Sequence, residues 1–380
     1  MKGVNKENIK KYALNEFLSE YKELNTDNKY RPVAVGRYGI RKRESIYSKE
    51  LAKDYSKNKL IHKDTLTVGM GSKQIDIGIL IEDETFAVSP AYHTYKIQGI
   101  RCKYLEYCLQ SKNIEMFSLY AKRGSRQGKS IDLKRWLTYK IPVYSEEDQI
   151  VIEENLNKIN VVIELRRKQL ELLDELVRAR FVEMFGNPVV NDKKWEIRYF
   201  SDLGELKRGK SKHRPRNDPI LLGGKYPLIQ TGDVTNSNTY IKSYTSTYSE
   251  EGLKQSKMWK KGTLCITIAA NIAESAILTF DACFPDSVVG FTPNGEVISL
   301  FIHYWLSFLQ PILEENAPAV AQKNLNVATL EKVGVIVPPL ELQNQFASFV
   351  QEIDKSRSRI QKSLEASQEL FDSLMQEYFG

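Results

Sequence analysis

The chain has 380 residues, with 55 Lys and Arg against 48 Asp and Glu and 42% hydrophobic residues. That length holds two or three domains with ample cores, and the ordinary apolar fraction makes a folded chain, not a disordered one, the default. The formal net charge of +7 is modest for this length, and it is the distribution of the charge that favours an anionic partner over an acidic protein or a membrane surface.

From Asn8 to Leu24, apolar residues at Ile9, Tyr12, Ala13, Phe17 and Tyr21 predict a helix. Strand-like runs follow at Pro32 to Gly36, Thr65 to Met70, Ile75 to Ile81 and from Thr85. A helix is expected across Lys103 to Tyr120, then a Gly- and Arg-rich loop from Lys122 to Ser130 and a strand in YKIPVY. The first globule is therefore mixed α/β. Ser145, with Asp148 three residues on, is placed to cap a long helix that Gly186-Asn187-Pro188 stops.

Along that helix Ile152, Leu156, Ile159, Ile163, Arg166, Leu170, Leu173, Val177, Arg180 and Met184 step alternately by four and three, the heptad seam of a coiled coil. A shift of about 194 residues gives Phe346, Val350, Ile353, Arg357, Ile360, Leu364, Ser367, Phe371, Leu374 and Tyr378 in the same register. Each helix opens at a matched Gln (Gln149, Gln343) and closes with Phe-Gly (Phe185-Gly186, Phe379-Gly380). Arg166, Arg180 and Arg357 in the seam need acidic neighbours if the helices pair antiparallel, or else extend their stems to solvent.

Between the helices, strand-like WEIRYF opens a second globule that repeats the plan of the first. Tyr226 to Val234 aligns with Tyr30 to Tyr38, Gly262 to Ala269 with Asp64 to Gly71, and Ser275 to Phe280 with IGILIE. The helix expected at Ser299 to Glu315 matches the one near Lys103, and Gln322 to Asn326 matches the loop ending QGKSI. The reading is one α/β (α+β) domain plus helix, duplicated: globules at 1–143 and 187–338, helices at 144–186 and 339–380.

Gly204 to Ser211 fits the phosphate-loop pattern GxxxxGK[ST] letter for letter. Its context is wrong, because Pro215 and Pro219 would break the helix that must follow and FSDLGEL is a poor buried strand. Lys207, Arg208, Lys210, Lys212, Arg214 and Arg216, with His213, instead crowd a Gly/Pro loop suited to a phosphate backbone or a DNA groove, or merely to solvent. A second cluster, Arg37, Arg41, Lys42 and Arg43, is read as the corresponding part of the first globule, and a third comprises Lys122, Arg123, Arg126 and Lys129. Tyr38, Tyr92, His93, Gln230, Asn236, Asn238 and Tyr240 are placed near enough either to read base edges or to serve the fold.

No nucleophile elbow, HExxH or Ser/His/Asp order is present, and paired carboxylates such as Glu146-Glu147-Asp148 fall at helix ends. Asn187-Pro188-Val189-Val190 lacks the second Pro and the aromatic residue of an adenine methyltransferase loop and serves as a helix stop. Cys102, Cys108, Cys265 and Cys283 form no CxxC pair and the four His are scattered, which fits reduced core thiols without a metal site. Ile266 to Leu278 is too short to span a bilayer and MKGVNKENIKKY lacks a signal core, so a cytoplasmic protein with no membrane contact is expected.

These features together resemble the DNA specificity subunit of type I restriction-modification systems. The resemblance covers essentially the whole chain and rests on the order and repetition of Leu203 to Ser211, Tyr226 to Val234, Gln322 to Asn326 and Val335 to Phe346. It implies that two target-recognition domains each read half of a split target in double-stranded DNA, while two antiparallel helices set the gap. It also implies a chain without catalysis or cofactor of its own. Two modification subunits binding S-adenosylmethionine would methylate adenine, and restriction subunits using ATP and Mg would join them. Lys207, Arg208, Lys210, Lys212, Arg214 and Arg216 carry over as phosphate and groove contacts, with Thr231, Asp233 and Asn236 at base edges in a loop after a strand. The first globule lacks an evident counterpart of the WEIRYFSDLGELKRGKS opening, so its contacts transfer less directly. Alternatives are the recognition subunit of a type II restriction-methylation enzyme, an NTPase using Gly204 to Ser211, and a coiled-coil scaffold without DNA.

Overall fold

The structure, a computed structural model, describes residues 4, 9–36, 39–46, 54–123, 129–269, 271–315 and 325–380. Its contacts separate two units, Met1–Arg167 with Gln361–Gly380, and Lys168–Ile360. In the first, the chain runs through β1 (Lys10–Ala13), β2 (Leu18–Glu20), β3 (Val33–Gly36), β4 (Gly39–Lys42), β5 (Lys59–Ile61), β6 (Thr65–Met70), β7 (Ile75–Leu80), β8 (Phe86–Val88) and β9 (His93–Ile97). Helices α1 (Cys102–Ser111) and α2 (Asn113–Tyr120), the hairpin β10 (Ala121–Arg123) and β11 (Lys129–Ile131), α3 (Leu133–Trp136) and β12 (Lys140–Val143) complete it before α4 (Glu146–Phe185).

A four-stranded antiparallel sheet, β2-β9-β6-β7, is the centre of this unit. Side chains alternate across it. Ile75, Ile77 and Ile79 join the helical core with Tyr104, Leu105 and Trp136, whereas Leu80 joins Val33 and Val35 on the other side. Gly78 lacks a side chain for a steric reason, since a Cβ there would lie 2.6 Å from Ile40 Cγ1.

The expected helix from Asn8 to Leu24 is not formed. β1 pairs with β12, a 3-10 turn spans Leu14–Glu16, and β2 pairs with β9. The buried residues are Leu14 and Leu18, which the helical spacing leaves out. Pairing with strands 75 or more residues away decides this segment over its local periodicity.

The second unit repeats this path with β13 (Ile197–Tyr199), β14 (Gly204–Arg208), β15 (Leu222–Leu228), α5 (Thr231–Thr235), β16 (Tyr240–Ile241), β17 (Ser246–Tyr248) and α6 (Glu250–Lys254). Next come β18 (Leu264–Thr267), β19 (Ser275–Leu278), β20 (Val288–Pro293), α7 (Ser299–Glu315), α8 (Val327–Glu331), β21 (Gly334–Ile336) and α9 (Leu340–Phe379). Its main sheet has the order β14-β20-β18-β19-β16, with β14 at an edge.

The duplication holds down to hydrogen bonds. Leu66 pairs with Tyr95 and Ile79, and Leu264 pairs with Phe291 and Ile277. Asp64 and Gly262, matched in sequence, both have positive φ and donate to Leu80 O and Leu278 O. The β1, turn and β2 path is the counterpart of β13, its 3-10 turn and β14. The N–H of Leu14 donates to Tyr139 O and that of Phe200 to Val333 O. The first globule therefore has the opening segment that its sequence did not reveal, because Lys10 to Glu20 shares its pairing with Ile197 to Leu206 but few of its residues.

Every position of both predicted seams is buried or half-buried. In the first unit Ile152, Leu156 and Ile163 share a core with Leu374 and Tyr378; in the second, Val177 and Phe181 share one with Phe346 and Val350. Within each unit, then, the early part of one helix meets the late part of the other, the antiparallel arrangement expected. Arg357 finds an acidic neighbour across the pair, Asp174 at 2.6 Å, and Arg180 finds Glu183 on its own helix at 2.8 Å.

The matched glutamines hold equivalent joints. Gln149 Oε1 accepts from the Arg101 N–H at 3.2 Å while its Nε2 donates to Tyr144 O at 2.9 Å. Gln343 repeats this with the Ile298 N–H at 3.0 Å and Pro338 O at 2.9 Å. The terminal phenylalanines match as well, with Phe379 at 5.4 Å from Tyr104 and Phe185 at 5.0 Å from Phe301.

One difference between the joints gives a test. In the first unit, buried Glu153 accepts from Arg101 and from the Tyr104 N–H at 3.0 Å. The second unit has Ile298 and Ala347 at the matching sites, packed on its core. Glu153→Ala leaves the Tyr104 N–H and a guanidinium unpaired, an expected loss of about 2 kcal/mol. The double variant R101I/E153A, which copies the second unit, should recover most of that loss in a chemical denaturation series.

Candidate nucleic-acid interface

Edge strand β14 delivers the basic residues of the second unit. It pairs with β20 from Gly204 opposite Pro293 to Arg208 opposite Val289, and the Gly209 N–H donates to Val288 O as the chain leaves the sheet. Both glycines of the phosphate-loop pattern are set by this pairing. A Cβ on Gly204 would lie 2.3 Å from Thr292 O, and one on Gly209 would lie 2.3 Å from Pro285 O. Gly204 to Arg208 is strand, and the next helical turn, Pro219–Leu221, follows only after an intervening loop. No helix N-terminus among the described residues follows the pattern directly, so the NTPase reading fails on geometry.

Beyond Gly209 the loop is fastened from beneath. Gln255 Oε1 accepts from the Lys212 and His213 N–H groups at 2.6 and 2.9 Å. His213 Nε2 lies 2.8 Å from Asp218 Oδ2, and Asp218 Oδ1 accepts from the Ile220 N–H at 3.1 Å. The Ile220 N–H, then His213, hold the Asp218 carboxyl below its ordinary value.

Three of the six predicted cations converge on one residue, Asp286. Arg208 Nε donates to its carbonyl oxygen, Arg214 lies 3.5 Å from Oδ2 and Arg216 lies 2.5 Å from Oδ1. Arg214 also donates to Ser211 O and His213 O at 2.7 and 2.8 Å, so its head group is largely spent in shaping the loop. Lys207 pairs with Glu205 and, with Lys257 as a smaller second cause, holds that carboxyl below its ordinary value. Lys210 and the Lys212 side chain are exposed and enter no ion pair among the described residues.

Thr231, Asp233 and Asn236 do not form a loop after a strand; Thr231 and Asp233 lie in α5 and Asn236 ends it. Asp233 accepts from the Gln230 N–H at 2.8 Å and the Thr245 hydroxyl at 3.1 Å, so both its oxygens serve the helix and its neighbour. Asn236 and Asn238 are exposed.

In the first unit the basic residues occupy different places. Arg41 and Lys42 lie on β4, Arg43 just beyond it, and Lys42 sits 5.9 Å over the Phe86 ring. The true counterpart of the 209–218 loop is the connection from β2 to β3, because the parallel bridges Pro32 to Ala87 and Leu228 to Cys283 match. Arg41 to Arg43 thus follow the strand that the basic loop of the second unit precedes, and the expected correspondence of the two clusters does not hold. Arg123 ends β10, Lys129 begins β11, and Lys122 pairs with Asp132 at 2.7 Å. Arg37, Tyr38, Arg126 and Gln322 to Asn324 lie outside the described residues. Arg43, Asn58, Tyr92, His93 and Ser130 line a cleft of about 510 Å³. Burial, then Lys59, pushes the His93 imidazole below its ordinary value.

Sequence reading passed over Asp286 and Gln255, which organise the loop from 78 and 43 residues away, without a local signal. It also passed over the run Lys254, Lys257, Lys260 and Lys261, whose charge was legible. Lys257 lies 3.9 Å over the ring of Trp259, which is stacked on Phe284.

Residues 192–368 match the family model for the type I restriction modification DNA specificity domain. Over that stretch, just under half of its length, the chain is similar to that specificity family. It is 25% identical over 293 residues to a protein described as the specificity subunit of type I restriction enzyme MjaX from Methanocaldococcus jannaschii, over 70% of this chain and 66% of that one. It is 24% identical over 306 residues to the MjaIX specificity subunit of the same organism, over 73% and 68% of the two chains. The chain thus spans about two thirds of each of these relatives. In fold it is similar over its whole length to the crystal structure of a type I restriction-modification S subunit from M. genitalium, with 16% identity, a TM-score of 0.56 and 98% of that chain covered. A structure reported for assembly and conformational transition of a type I system gives 14% identity, a TM-score of 0.59 and 99% of that chain covered. No helix among the described residues is long and apolar enough to cross a membrane.

Proposed function

We propose that this chain is the DNA-binding specificity subunit of a type I restriction-modification complex in the cytoplasm, each unit reading one half of a split target in double-stranded DNA. The observation that carries the proposal is the basic loop of the second unit, fastened at its base yet presenting Lys210, Lys212 and two guanidinium groups outward. Fixed cations of this kind position a protein on phosphates and reach guanine edges. In α4 and α9, with 40 residues each, helices of about 60 Å supply a ruler for the gap between half-sites. Catalysis resides in partners on this reading. Two modification subunits using S-adenosylmethionine methylate adenine, and restriction subunits using ATP and Mg cleave. This chain contributes address, not chemistry.

Mapping N6-methyladenine across the host genome with and without the gene tests the proposal. Loss of one motif of two short half-sites around a fixed gap is expected. Replacing the second globule by that of a relative should change one half-site only. If no motif disappears on deleting the gene, or if both half-sites change on the exchange, the reading fails.

A further inference from the structure

An acidic residue at the centre of a basic DNA-facing loop is unexpected on charge alone, because a carboxylate repels phosphate. Asp286 is held there firmly. It lies in the turn before β20 that the Val288 N–H closes onto Pro285 O, and the Gly209 backbone packs against that same turn. Its carboxylate is the shared ion-pair partner of Arg214 and Arg216, while its carbonyl oxygen accepts from Arg208 Nε. Guanidinium groups have five N–H donors in a rigid fork, so one engaged edge fixes the direction of the others. Arg216 brings one nitrogen to 2.5 Å from the Asp286 carboxylate as an ion pair, and its side chain is about half exposed.

We infer that Asp286 is a specificity-determining positioning residue, which aims the guanidinium groups of Arg208 and Arg216 and offsets part of their charge. This inference rests on the proposed contact between the loop and DNA. Two consequences follow from the chemistry. Non-specific DNA, which offers only phosphates, gains less from a cation already paired to a carboxylate. A target whose base edges match the fixed forks loses little, because the forks need no reordering on binding.

The test is Asp286→Asn in the full chain, measured on a duplex carrying the motif that disappears from the methylome and on the same duplex scrambled. The Asn variant should bind the scrambled duplex about five-fold more tightly and with a steeper salt dependence. Discrimination between the two duplexes should fall at least about ten-fold, since one well-aimed bidentate contact is worth that much. In a background of R208A/R214A/R216A, Asp286→Asn should have no further effect. If Asp286→Asn discriminates like the unaltered protein while the triple variant binds weakly, the loop touches DNA but the role given to Asp286 is wrong. If the triple variant binds like the unaltered protein, the loop contact itself is wrong. Should the Asn variant melt early, Asp286→Glu keeps the charge and shifts the carboxylate by one methylene. It should lose discrimination without gaining affinity for the scrambled duplex, and full retention of discrimination would overturn the inference.

Discussion

Replacing Arg208, Lys210, Lys212 and Arg216 together by Ala should weaken DNA binding by the full chain about 100-fold or more near physiological salt. The four residues sit on one edge strand and the loop that leaves it, and their neighbours do not neutralise them all. The plot of log affinity against log salt should also flatten, by about 0.9 for every phosphate that is no longer neutralised and so by up to about 3.6 for four. A control that removes Lys158 and Lys355, exposed lysines on α4 and α9 paired with Glu154 and Glu352, should leave the slope in place. An unchanged slope in the fourfold variant would place the DNA on another face. Lys210 and Lys212 act mainly on phosphate, so replacing those two alone should weaken binding nearly uniformly across sequences, whereas loss of Arg208 and Arg216 should also lower discrimination, as at Asp286.

The second large effect concerns the joint between the helices and the second unit. Phe181 is fully buried and lies 4.8 to 5.6 Å from the rings of Phe185, Phe301, Phe308 and Phe346, which come from α4, α7 and α9. Phe181→Ala should cost about 3–5 kcal/mol, the sum of forfeited transfer energy and an unfilled cavity among four aromatic rings. For a unit of this size that is a drop of roughly 10 °C in its thermal transition, measurable by calorimetry. Phe181→Leu, which keeps most of the volume, should cost much less. A destabilisation below about 1 kcal/mol for the Ala variant would mean that this aromatic cluster does not hold the helices to the unit.

The resemblance to the specificity subunits was legible in the sequence because its strongest signals are periodic and repeated. A seam such as Ile152, Leu156, Ile159 and Ile163 fixes which face of a helix is dry, and its recurrence from Phe346 shows that two such helices exist. The alignments of Tyr226 with Tyr30 and Gly262 with Asp64 are reproduced by matching bridges and positive-φ turns, since both depend on short stretches of chain. Sequence also located the basic loop, because six cations within ten residues cannot be buried.

Long-range pairing decided the rest. Lys10 to Glu20 carries helix-like spacing, yet it forms strands because β12 and β9 offer it backbone partners. Arg41 to Arg43 read as the twin of the basic loop until the bridges at Pro32 and Leu228 showed which connection corresponds to which. Asp286 and Gln255, far from the loop in sequence, lie in its foundations only because β20 and α6 bring them there. Periodicity is a local property and survives in the string of residues, so the sequence alone determined the helices, the repeat and the place of the positive charge. Which acceptor each cation meets depends on strand register and backbone approach across the sheet, and only the tertiary structure decided that.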